Sequence, residues 1–231
     1  MRINKFISET GISSRREADK WVEAGRVTIN GKLAELGSQA EKEDEVRVDG
    51  QLIGAKKTAL YIAFNKPVGI TCTTERHIEG NIIDFIGHEE RIFPIGRLDK
   101  DSEGLILLTN NGDIVNQILR AENSHAKEYI VTVNRLITPQ FLQGMAEGVP
   151  ILDTVTQACE VSRISDYVFR IVLTQGLNRQ IRRMCAHFEY QVRRLQRVRI
   201  MNITLENLRM GSWRELSEAE LGQIYEDIAK K

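Results

Sequence analysis

Apolar side chains in the N-terminal stretch recur first at helical spacing and then at alternate positions. Ile3, Phe6 and Ile7 fall on one side of a helix, and Ala18, Trp21 and Val22 repeat that arrangement a segment later. Ser14-Arg15-Arg16-Glu17 has the form of a capping box, in which Ser14 accepts from a first-turn amide and Glu17 reaches back. Gly25 supplies a stop. Two short strands follow, Val27-Thr28-Ile29 and Lys32-Leu33, joined by the tight-turn pair Asn30-Gly31. Val46-Arg47-Val48 and Leu52-Ile53 flank Asp49-Gly50 in the same way. Residues 1–53 therefore predict two helices and a small sheet, a unit that buries little apolar area and reads as an accessory module.

Residues 54–59, Gly54-Ala55-Lys56-Lys57-Thr58-Ala59, read as a linker into a larger domain over 60–231. Leu60-Tyr61-Ile62-Ala63-Phe64 is an apolar run of strand length. Beyond it the pattern predicts strands at 104–109, 127–133, 155–164, 167–174 and 192–205, and helices at 113–120, 138–147, 179–188 and 217–229. The helix starts are signalled by Asn111-Gly112-Asp113, Thr138-Pro139, Asn178 and a second capping box, Ser217-Glu218-Ala219-Glu220. Strands and helices alternate without a repeated βαβ rhythm. This favours an α+β domain on a largely antiparallel, mixed sheet.

Composition removes several classes of function. No run approaches the roughly 18 apolar residues of a membrane span, and Met1-Arg2-Ile3-Asn4-Lys5 lacks the core of a signal peptide. Cys72, Cys159 and Cys185 are odd in number and widely spaced, as expected of reduced thiols in a cytoplasmic protein. Neither they nor the four histidines have metal-ligand spacing. There is also no Walker loop or dinucleotide fingerprint.

The formal net charge is zero, yet the charges are unevenly placed. Residues 1–32 hold seven Lys/Arg against four Asp/Glu, a local +3, and residues 176–199 hold seven Arg against one Glu, a local +6. Local fields acting over a screened distance of about 10 Å, not the total, attract a phosphate backbone. In the N-terminal module the exposed basic positions are Arg2, Lys5, Arg15, Arg16 and Lys20, which serve either as a solvated face or as RNA contacts.

The densest polar cluster is Gly96-Arg97-Leu98-Asp99-Lys100-Asp101-Ser102-Glu103, between the apolar segments 91–95 and 105–108. By spacing alone it reads more readily as an ordinary charged turn than as a reactive loop. The helix after Asn178 puts Ile181, Met184, Cys185 and Phe188 on one face and Arg179, Arg182 and Arg183 beside them. Cations at a helix N-terminus oppose its dipole, at about 0.3–1 kcal/mol each, so three arginines there imply a compensating carboxylate or phosphate.

Several of these segments resemble known families. Residues 2–7, Ser13-Ser14-Arg15-Arg16-Glu17-Ala18 and 25–32 resemble the S4 RNA-binding domain, whose two helices lie against RNA. The run from Phe93 through Gly96-Arg97-Leu98-Asp99 to Gly104-Leu105, with Thr109 and Gly112 beyond it, resembles the catalytic motif of rRNA pseudouridine synthases. Lys127-Glu128-Tyr129-Ile130-Val131 and Gly176-Leu177-Asn178-Arg179-Gln180-Ile181-Arg182-Arg183-Met184 resemble two further motifs of that family, in order. Ser102 stands where the family more often has Thr, and Asn110 where it often has an acidic residue. Asn81-Ile82-Ile83-Asp84-Phe85 and 178–185 fit the F type of large-subunit enzyme.

The resemblance implies an isomerase that converts uridine to pseudouridine in large-subunit (23S) rRNA without a cofactor. Asp99 becomes the catalytic carboxylate, Tyr129 the ring against the target base, and Arg182 the partner of Asp99. Arg97, Arg179 and Arg183 become RNA contacts, along with the basic positions of the first module. A tRNA is a second substrate in some members, the enzyme is expected to be a monomer, and no membrane is involved. The competing expectations are a non-enzymatic RNA-binding or ribosome-assembly protein and a synthase that acts on tRNA.

Overall fold

The computed structural model describes residues 1–54, 57–119 and 125–230. The chain divides into two units, Met1–Leu60 with His88–Ile92, and Tyr61–Gly87 with Phe93–Lys231.

In the first unit, α1 (Ile3–Glu9) and α2 (Arg15–Glu23) precede β1 (Val27–Ile29), β2 (Lys32–Leu33), β3 (Val46–Val48) and β4 (Gln51–Leu52). The four strands form an antiparallel sheet in the order β2-β1-β3-β4. Asn30 and Gly31, and again Asp49 and Gly50, all have positive φ, as the tight primed turns require. Ile3, Ile7, Ala18, Val22, Val27 and Val46 form the buried stripe. The first capping box is half made. Ser14 Oγ accepts from the Glu17 amide at 3.1 Å, but the Glu17 carboxylate lies 3.7 Å from Lys20 instead of returning to the backbone. Ala55 and Lys56 of the expected linker lie outside the described residues.

The second unit begins with β5 (Tyr61–Lys66), α3 (Ile82–Ile86), β6 (Phe93–Ile95), β7 (Glu103–Thr109) and α4 (Asp113–Leu119). It continues with β8 (Lys127–Val133), α5 (Pro139–Glu147), β9 (Pro150–Ile151), β10 (Thr154–Val155), β11 (Glu160–Arg163) and β12 (Val168–Leu173). It ends with α6 (Gln180–His187), β13 (Val192–Ile200), β14 (Ile203–Thr204), β15 (Trp213–Glu215) and α7 (Glu218–Ala229). Nine strands form one sheet in the order β11-β12-β8-β13-β7-β5-β15, with β14 beside β13 and β6 beside β7. Among the described residues only the β7–β13 pair of this sheet is parallel, which makes this the largely antiparallel, mixed sheet of an α+β domain.

Four helices start one residue from the expected place or at it, because their caps are local. Thr138 Oγ1 accepts from the Phe141 amide at 3.1 Å, and Ser217 with Glu220 completes a reciprocal box at 3.2 and 2.8 Å. Arg120, the last residue of one expected helix, lies outside the described residues. Two expected strands were too long. The 155–164 segment separates into β10 and β11, and the 192–205 segment turns at Met201, whose φ of 52° separates β13 from β14.

The sequence pattern did not mark α3, β6 or β15 as elements. Pro94 disguised β6, but this short strand pairs only with β7, where a missing donor is tolerated. One core packs Phe141, Met145, Phe169, Met184 and Cys185 under β8 and β12, and the other packs Leu105, Leu107, Ile114, Ile203 and Ile224 around β7.

Candidate active site

The polar loop arises from a division of the edge of β7. Strand β5 runs along one side of β7 from Gly104 to Thr109. On the other side Glu103 and Gly104 pair with Gln196 and Arg197 of β13, while Leu107–Thr109 pair with β6. Residues 96–102 leave the sheet where β6 and β13 part. Gly104 makes the close approach possible. Its φ is +106°, and a Cβ built there would lie 2.2 Å from the Arg197 carbonyl oxygen.

A cleft of about 470 Å³ opens at this fork and is lined by Arg97, Asp99, Tyr129, Arg179, Arg182 and Arg197 among others. Asp99 is half-buried, and its carbonyl accepts from the Ser102 amide at 3.0 Å, closing a turn. Tyr129 lies on β8 directly across from Arg197 of β13. On the preceding position of β8, Glu128 accepts from Arg170 at 2.8 Å and Arg199 at 2.9 Å, and the Arg170 hydrogen bond holds its carboxyl below the ordinary value. The motif thus anchors the strand with Glu128 and offers Tyr129 to the cleft.

The expected pairing of Arg182 with Asp99 is not what the structure holds. Among the described residues the arginine within ion-pair reach of Asp99 is Arg179, at 3.6 Å. Arg182 instead braces the loop. Its Nη2 donates to the Asp101 carbonyl at 2.8 Å and to Ser102 Oγ at 3.1 Å, and its Nε lies 3.4 Å from the Asp101 carboxylate. The reason lies at the start of α6. Arg179 is the N-cap, not a residue of the helix face, and has a left-handed backbone with φ of 49°. That conformation turns its guanidinium towards Asp101, which accepts it at 3.1 and 2.8 Å. Asp101 is the carboxylate that compensates the arginines, and the Arg179 hydrogen bond keeps it below the ordinary carboxylate range.

Arg97 is exposed on the cleft. Arg183 does not line it. The side chain folds back on Asn178, with bonds of 3.0 Å to the carbonyl and 3.1 Å to Oδ1. In the first unit Arg2, Arg15, Arg16 and Lys20 are exposed, and Lys5 faces Glu9 at 3.6 Å.

Three residues of this region had no role assigned from the sequence. Lys66 is fully buried, donates to the Pro67 and Ile70 carbonyls at 2.9 Å each, and loses basicity through burial. A lysine closing an apolar strand before Pro67-Val68-Gly69 was its available signal. Lys127 lines the cleft and is likewise less basic, chiefly through burial. Arg197 is 4% exposed and shares the face of Leu195 in β13. Alternation with Leu195 was the signal there.

An aspartate loop at the fork of a mixed sheet, a tyrosine on β8 and arginines at the start of α6 share one cleft, the arrangement of an enzyme site that takes an anionic substrate. Comparison with known proteins makes the class specific. Residues 60–187, more than half of the chain, match the RNA pseudouridylate synthase family, and residues 1–46 match the S4 domain. The chain belongs to the RNA pseudouridine synthase family and is an isomerase. It is 56% identical over 230 residues to the dual-specificity RNA pseudouridine synthase RluF of Escherichia coli K12, covering 99% of this chain and 79% of that protein. It is also 35% identical to an uncharacterized RNA pseudouridine synthase of Aquifex aeolicus, covering 100% of this chain and 96% of that protein. A crystal structure of a pseudouridylate synthase superposes with a TM-score of 0.72 at 27% identity, covering 97% of this chain and 99% of that one. The reading as a non-enzymatic RNA-binding protein falls with these matches. No helix among the described residues is long and apolar enough to cross a membrane.

Proposed function

We propose that the chain converts a uridine of 23S rRNA to pseudouridine, that it accepts a tRNA as a second substrate, and that Asp99 carries the chemistry. The observation behind this reading is that Asp99, Tyr129, Arg179 and Arg182 line one cleft. The relative at 56% identity is a dual-specificity enzyme, which supports a second RNA substrate.

The reaction breaks the bond from C1′ to N1, turns the uracil, and joins C5 to C1′. The hydrogen lost from C5 is balanced by one gained at N1, so no redox change occurs. The target nucleotide has to leave its stack to reach a cleft of this kind. A carboxylate assists departure of the base either by attack on C1′ or by taking a proton from the sugar. Both routes use the Asp99 carboxylate, and the Arg179 guanidinium lies 3.6 Å from it. Tyr129 supplies a flat ring and a hydroxyl to the base. Arg182 holds the backbone of the loop, and Arg97 and Arg179 are the cleft's contacts for phosphate.

In this division of labour residues 1–53 place the RNA through Arg2, Lys5, Arg15, Arg16 and Lys20, and residues 60–231 perform the isomerisation. Arg183 adds a phosphate contact outside the cleft. The enzyme works in the cytoplasm as a monomer. The test incubates the purified chain and Asp99→Asn separately with 23S rRNA and with a tRNA pool, then maps pseudouridine in each. New pseudouridine in both RNAs with the wild type and none with the variant is the expected result. An unmodified 23S rRNA, or equal modification by the variant, overturns the reading.

A further inference from the structure

Arg197 is a buried cation that the catalytic scheme above leaves unused. It is 4% exposed, and among the described residues no carboxylate lies within ion-pair distance of it. Two of its three nitrogens are fixed by carbonyls. Nε donates to Leu105 at 2.7 Å and Nη1 to Arg97 at 3.4 Å, two residues before Asp99. Nη2 is buried without a partner. In the register of the sheet Arg197 lies between Gly104, which follows the aspartate loop, and Tyr129. A guanidinium held at two corners has a set orientation, and a buried donor without an acceptor is costly.

We propose that Arg197 is a substrate-contacting residue whose Nη2 donates to a carbonyl oxygen of the target uracil. The inference rests on the reading that the uracil enters the cleft of Asp99 and Tyr129. A phosphate suits this position poorly, because the exposed Arg97 and Arg179 meet a strand first, whereas Arg197 lies deep beside Leu107 and Leu195. A uracil ring fits such surroundings and brings two carbonyl oxygens, O2 and O4. When the bond from C1′ to N1 breaks, its electron pair leaves with the base, and the charge spreads onto those oxygens. A fixed guanidinium holds that anion more tightly than the neutral base, so the contact lowers the barrier to departure. In the present conformation Nη2 is shielded, and seating of the base exchanges that cover for the carbonyl.

The test compares wild type, Arg197→Lys and Arg197→Met on 23S rRNA fragments carrying uridine, 2-thiouridine or 4-thiouridine at the mapped target. Cleavage of the glycosidic bond is followed in single turnovers at saturating enzyme, with Kd measured separately. Sulfur accepts hydrogen bonds poorly, and any change it makes in the leaving group cancels in the ratio of variant to wild type. On uridine, loss of a charged hydrogen bond should slow Arg197→Lys by about 10- to 100-fold at unchanged Kd. With sulfur at the contacted position that ratio should approach one. An equal ratio for all three bases means that Arg197 only holds the loop, and a raised Kd with an unchanged saturated rate means a phosphate contact; either overturns the proposal. Thermal melting establishes that the variants fold, and Arg197→Lys decides the matter alone if Arg197→Met does not. Asp99→Asn is a separate arm. Normal turnover by it rejects the cleft itself, whereas an inactive Asp99→Asn with a flat Arg197 ratio rejects this inference alone.

Discussion

Two sets of basic side chains, one in each unit, are used in opposite ways. In the N-terminal unit Arg15 and Arg16 stand in solvent, and Lys20 meets Glu17 only at 3.7 Å. In the catalytic unit Arg182 is 15% exposed and braced by the Asp101 carbonyl, while Arg197 is 4% exposed and locked by two carbonyls. An exposed pair contributes about 0–1 kcal/mol and leaves the charge available to a phosphate, with affinity that falls as salt rises. A buried arginine gives little net stability but fixes the position of whatever accepts from it. The first arrangement serves binding and the second serves geometry, and substitutions should separate the two.

The largest effect should come from Asp99→Asn, which keeps size and removes charge. Single-turnover rates should fall at least about a thousandfold with RNA binding retained. Turnover within tenfold of wild type would place the chemistry elsewhere. Next is Gly104→Ala, which sets a Cβ 2.2 Å from a backbone oxygen at a φ of +106°. Denaturant titration should show a loss of about 3–5 kcal/mol, and wild-type stability would mean that β7 and β13 separate easily.

Arg182→Lys tests whether the buried arginines are struts. One ammonium cannot reach both the Asp101 carbonyl and Ser102 Oγ in the same planar fork. The rate at saturating RNA should fall about 10- to 100-fold with Kd little changed. A change confined to Kd would move Arg182 into the class of Arg15.

The triple change of Arg15, Arg16 and Lys20 to Ala probes the opposite use. Kd should rise about tenfold at moderate salt, and the slope of log K against log salt should flatten by about 0.7–0.9 per lost phosphate contact. The saturated rate should stay the same. An unchanged slope would show that this face does not meet RNA.

The smallest effect concerns an ion pair that serves neither purpose. Arg214 holds Glu220 down at about 2, through bonds of 2.8 and 2.7 Å. A folded value below the unfolded one, about 4.3, gives stability that is full above the unfolded value and is lost as pH falls towards 2. With screening taken into account, Arg214→Gln should cost about 1 kcal/mol near neutrality and almost nothing near pH 2. A cost independent of pH would assign the effect to packing.

Much of the fold was legible in the sequence because its signals are local. Asn30-Gly31 and Asp49-Gly50 demanded left-handed turns, Thr138 and Ser217 placed helix starts within a residue, and Ile181, Met184 and Cys185 marked the buried face of α6. The polar loop around Asp99 also stood out, since five of the six residues from Arg97 to Ser102 are polar or charged, which is not the pattern of a buried strand. By itself, then, the sequence determined elements whose partners lie within a few residues, and through motif resemblance it pointed to the reaction. Tertiary structure alone decided which arginine faces Asp99. Arg179 meets Asp101 across 78 residues, and Arg197 meets the Leu105 carbonyl across 92. Those contacts depend on the left-handed N-cap of α6 and on the parallel register of β7 with β13. Neither is encoded by the spacing of residues, because a side chain's partner is set by where the strands and helices pack.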